Sequence, residues 1–73
     1  MRYTKLESVL SEEDGTIMYD LYLNPFCIES FYECHIEYTD PDGNQVERVG
    51  TIVTTKSGGE YTVAHPPSYI AEL

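Results

Sequence analysis

Residues 28–38, I-E-S-F-Y-E-C-H-I-E-Y, decide the fold. The even positions Ile28, Tyr32, Cys34, Ile36 and Tyr38 are apolar, with Ser30 the exception, while Glu29, Glu33, His35 and Glu37 at odd positions are polar, with Phe31 the exception. Side chains alternate across a strand but recur every ~3.6 residues on a helix, so this pattern predicts a strand with one dry and one wet, anionic face.

The turn D-P-D-G-N (40–44) follows. Pro41 pre-sets φ, Asp42 tolerates the next position and Gly43 accepts positive φ. A loop of residues 41–43 sets Tyr38 opposite Val46 and Tyr32 opposite Ile52, keeping apolar faces together, and Glu37 opposite Glu47 at a mild cost. The run Q-V-E-R-V-G-T-I-V-T-T (45–55) is apolar on both faces, Val46 and Ile52 on one, Val49 and Val53 on the other. Such a strand belongs in the middle of a sheet, and Gly50 within it predicts a bend or bulge. K-S-G-G (56–59) reverses the chain again, so that E-Y-T-V-A-H (60–65) lays Tyr61 and Val63 beside Val53 and Thr51. Pro66 and Pro67 then end the pairing, and Tyr69, Ile70 and Leu73 are placed over an open end.

Upstream, N-P-F-C (24–27) and E-E-D-G-T (12–16) mark two more reversals. Residues 3–10 fit two templates. Thr4 and Glu7 match a capping box, with Leu6, Val9 and Leu10 on one helical stripe. As a strand, a tight turn at Glu13-Asp14 pairs Leu10 with Ile17 and Leu6 with Leu21, and this reading is preferred because so short a helix is marginal. The expected fold is a single all-β domain over residues 1–73. It is a small antiparallel meander of four or five strands, a curled sheet or half-open barrel, with a short C-terminal closing turn.

A chain of 73 residues buries only roughly 60% of the surface it exposes when unfolded, so a metal, disulfide or partner would help it. Cys27 and Cys34 have opposite strand parity and stand ~23 Å apart if extended, far beyond the ~7 Å a disulfide spans. Cys34 and His35 point to opposite faces, and no ligand pair has zinc spacing. Cys34 therefore reads as an inert core residue. In D-P-D-G-N-Q-V-E the glycine is fourth and the twelfth position is Thr51, which does not fit a calcium loop. No metal or other cofactor is expected. No phosphate loop, nucleophile elbow or H-E-x-x-H is present, and no nucleophile is spaced beside His35, so no catalytic residues and no enzyme activity are expected.

The tail P-P-S-Y-I-A-E-L is similar to the closing P-S-x-Y-V segment of SH3 domains, and I-M-Y-D-L-Y (17–22) resembles their opening tyrosine motif. The tryptophan that lines the SH3 proline groove has no counterpart in a chain without Trp. The acidic loop and glycines of the family are also missing, so the resemblance implies a small curled β architecture and no ligand.

Thirteen Asp and Glu against four Lys and Arg give a net charge of −9. Such a field disfavours nucleic acid and anionic membranes and favours basic protein surfaces. The expected contact residues are Glu29, Phe31, Glu33, His35 and Glu37, with Glu47 from the neighbouring strand and Asp40 and Asp42 at the turn. Glu12, Glu13 and Asp14 form a second acidic tip. The expected function is a non-enzymatic protein that occludes a basic, nucleic-acid-binding type of surface on a larger protein. By size and charge it is analogous to the phage and mobile-element inhibitors of the anti-CRISPR and anti-restriction classes. The alternative is a small assembly subunit, such as a homodimer, burying Phe31, Val49, Val53, Tyr61 and Val63. With no apolar signal segment and no long apolar run, the chain reads as cytoplasmic.

Overall fold

The structure, a computed structural model, describes the backbone of residues 2–12 and 15–73 and the side chains of residues 2–10 and 18–73. Five strands, β1 (Thr4–Glu12), β2 (Gly15–Leu23), β3 (Ile28–Thr39), β4 (Gln45–Thr55) and β5 (Glu60–Val63), precede the one-turn helix α1 (Pro67–Ala71). They form one antiparallel sheet in the order β2-β1-β5-β4-β3. Read as a ring, this is a meander in which β5 returns to β1 and the ring is broken between β2 and β3. The break has a local cause. Pro25–Cys27 form a 3-10 turn, with Asn24 accepting the Phe26 N–H at 3.0 Å, in place of a tight hairpin. β2 and β3 leave it as two unpaired edges.

Residues 4–12 are a strand, in the register that aligns Leu6 with Leu21 and Leu10 with Ile17. The Glu13-Asp14 turn and the acidic tip expected around it lie outside the described residues. β3 and β4 pair Tyr38 with Val46, Glu37 with Glu47 and Tyr32 with Ile52, and β5 sets Val63 against Thr51 and Tyr61 against Val53. At the β3–β4 turn Gly43 adopts φ 86°.

Two small cores hold the sheet, one on each face. Leu6, Leu23, Val53, Val63 and Ile70 make the first, with Leu21 and Ile28 packed against it. Ile36, Tyr38 and Ala64 make the second, with Val9, Met18, Cys34 and Val46. The side chains change core along β3 because the register shifts between Ile28 and Ser30. The β3–β4 ladder corrects two expectations. Ile28, aligned by simple alternation with Ile36 and Tyr38, packs against the first core instead. Gly50, expected at a bend or bulge, is not at a bulge: it sits in regular register opposite Cys34.

The reason for Gly50 is space. A Cβ there would lie 2.7 Å from the Val63 carbonyl oxygen and 3.0 Å from Ile36 Cδ1. A backbone oxygen cannot swing aside as a side-chain tip can, so Gly50→Ala is expected to destabilise by about 2 kcal/mol, read as a lower urea midpoint at unchanged slope.

Among the described residues the buried serine and threonine hydroxyls are satisfied: Ser8 donates to the Thr62 carbonyl, Thr51 to the His65 carbonyl, and Thr55 accepts the Gly59 N–H. The closing segment behaves as the sequence implies for Ile70, which is buried, while Tyr69 and Leu73 remain partly exposed. Among the described residues no helix is long and apolar enough to cross a membrane.

Candidate protein-contact surface

The β3–β4 hairpin positions the acidic residues. Cross-strand pairing places Glu33 opposite Thr51, His35 opposite Val49 and Glu37 opposite Glu47, so all four polar side chains share one face. All are exposed. His35 Nε2 and Glu47 Oε1 lie 2.9 Å apart, each side chain 62% exposed. This contact, and then hydrogen bonding with Glu37, hold the Glu47 carboxyl below its ordinary value. Among the described residues this is the one side-chain contact between a basic and an acidic residue at salt-bridge distance, and it is an ion pair only with His35 protonated. Arg48 does not neutralise the face, because its guanidinium donates to the Ala64 carbonyl at 3.2 Å.

The other expected residues are placed less uniformly. Glu29 falls in the register shift and has no partner across the ladder, so alternation does not align it with Glu33 and Glu37. Phe31 stands opposite Val53 and is partly exposed beside a cleft of about 290 Å³ with Pro25, Ile28, Ile70, Ala71 and Leu73. Asp42 is exposed at the turn. Asp40 is used inside the turn, where its Oδ1 accepts the N–H groups of Asp42 at 3.0 Å and Asn44 at 2.8 Å. The apolar face assigned to assembly is partly spent inside the chain. Val53 and Val63 are fully buried under Leu6, Leu23 and Ile70, leaving Phe31 and Val49 exposed.

Sequence reasoning missed the exposed aromatics of the two edge strands and their connecting turn. Phe26 is 81% exposed, Tyr22 62% and Tyr32 51%. Tyr32 has core parity, and only its edge position leaves it wet. The N-P-F turn signal would have exposed Phe26, since a connection between edges has no second layer over it.

His35, Glu37 and Glu47 bring three donor atoms within 4.8 Å of one another, the one such group among the described residues, and all are exposed. They could touch a divalent cation, but no buried group behind them fixes their orientation. A cleft of about 410 Å³ joins His35 and Glu37 to Val9, Leu10, Ile36 and Thr62. Its polar lining consists of the His35 imidazole, the Glu37 carboxyl and the Thr62 hydroxyl. Cys27 and Cys34 are both unbridged, and burial, then the Glu33 charge, pushes the Cys34 thiol up, which keeps it protonated.

The second histidine is structural. His65 Nε2 accepts the Glu7 N–H at 3.0 Å, and its ring stacks on Tyr69 with centroids 4.4 Å apart. Burial lowers its pKa below 6.5, with Glu7 opposing and Arg48 assisting. The unfolded chain therefore takes the proton first. The stabilisation is complete above the unfolded value and is lost as pH falls through the folded one. The urea midpoint should drop between about pH 7 and pH 5, and His65→Phe should flatten that slope.

No family model, curated protein or solved structure matches this chain.

Proposed function

We propose that this chain is a non-enzymatic binding protein that lays the glutamate face of its β3–β4 hairpin on a basic surface of a larger protein and occludes it. The observation that carries the reading is that Glu33, Glu37 and Glu47 stand exposed on one face, with the His35 imidazole against Glu47 and the Arg48 guanidinium engaged elsewhere. In a chain of net charge −9, such a face steers and orients a basic partner, and the adjacent Phe31 offers an apolar contact. A basic surface of the type that binds nucleic acid is the natural target. The inhibitor classes of phages and mobile elements supply the analogy of size and charge.

The experiment is a salt titration of the complex captured from a host lysate, followed by competition with the partner's nucleic acid. Affinity should fall by about tenfold or more from low to moderate salt, and nucleic acid should be displaced. Salt-insensitive binding would instead point to apolar burial and contradict the proposal.

A further inference from the structure

We propose that the free edge of β3, over residues 30–37, takes up an extended basic segment of the partner as an additional strand; this deepens the reading of the glutamate face as a contact for a basic protein and rests on it. β3 ends the sheet, so its outer N–H and C=O groups have no strand partner. Residues 29–33 are exposed at five successive positions, which leaves both faces of the strand wet on that side. Beyond the register shift at Ile28/Ser30, residues 30–37 contain no Pro and no Lys, and the charges that guard this edge are the glutamates Glu33 and Glu37, which repel an acidic strand and attract a basic one.

The side chains specify the occupant. On one face an incoming strand would lie beside Phe31, Glu33, His35 and Glu37, and on the other beside exposed Tyr32 and half-buried Cys34, with Ile36 buried in the second core. A segment alternating Lys or Arg with aliphatic residues matches both rows at once, charge to glutamate and apolar to Tyr32. A second copy fits badly, because it would set glutamate against glutamate in two chains of net charge −9 each. β2, the other edge, offers only Asp20 as an acid among its described side chains.

The test uses the whole chain and two synthetic peptides alternating Lys and Val, one unmodified and one N-methylated at alternate amides. N-methylation keeps the charge and removes the donors a strand needs. The unmodified peptide should bind, slow amide exchange along β3 and give cross-strand contacts to residues 30–37, and N-methylation should weaken binding about tenfold or more. Equal binding of both peptides overturns strand addition and leaves the charged surface standing. Binding of neither overturns both. Concentration-dependent protection of β3 without peptide makes a second copy the occupant and also overturns the proposal.

Discussion

Leu6→Ala is expected to lower the stability of this chain by about 3 kcal/mol and its Tm by roughly 15 °C. Leu6 is fully buried at the centre of the first core, which joins both halves of the chain through Val53, Val63 and Ile70. Removing its isobutyl group loses the transfer energy of the buried carbons and leaves a cavity that rigid strands cannot close. A domain of this length holds only roughly 4–8 kcal/mol in total, so the effect is a large share of it. Leu10 is the internal control. It lies on the same strand face but is 46% exposed, so Leu10→Ala should change stability by less than about 1 kcal/mol. Thermal and urea unfolding of the pair measures the difference, and similar losses for both would contradict the two-core description.

Reversing Glu33 and Glu37 to Lys together should weaken partner binding by roughly a few hundredfold while leaving the fold intact. Two steering contacts become repulsive, at a cost of about 3–4 kcal/mol if both face basic groups. The fold should tolerate this because both side chains are exposed and Lys at position 37 would face Glu47, replacing a like-charge cross-strand pair by an opposite one. Asp20→Lys with Glu60→Lys changes net charge equally on exposed positions of β2 and β5, outside the β3–β4 hairpin. That variant should slow association only severalfold. Equal losses from the two variants would assign the effect to net charge and remove the glutamate face from the proposal.

The strand registers are legible in the sequence because period-two patterning and turn chemistry are local. Asp-Pro-Asp-Gly sets the β3–β4 pairing, and the match of Leu6 with Leu21 and Leu10 with Ile17 favours a strand over a helix for residues 4–12. What is not legible depends on long-range contacts. Alternation tells which neighbours share a face but not which edges meet, so the pairing of β1 with β5 has no local signature, and N-P-F-C marks a reversal without showing that it leaves two edges. A single extra residue at Ile28/Ser30 flips parity without changing composition, which is why alternation alone puts Ile28 in the wrong row. Gly50 gives a true signal with an ambiguous meaning: glycine in a strand marks a bulge or a close approach, and only the position of the Val63 carbonyl distinguishes them. Asp40 shows the same limit at the surface. Its charge is visible in sequence, but its use by the Asp42 and Asn44 amides is not.

Amide-resolved hydrogen exchange of the chain, free and in complex with its captured partner, addresses the contact surface most directly. Slowed exchange concentrated in residues 30–37 and around Glu47 is the predicted footprint; protection centred on β2 or α1, with β3 unchanged, would contradict it.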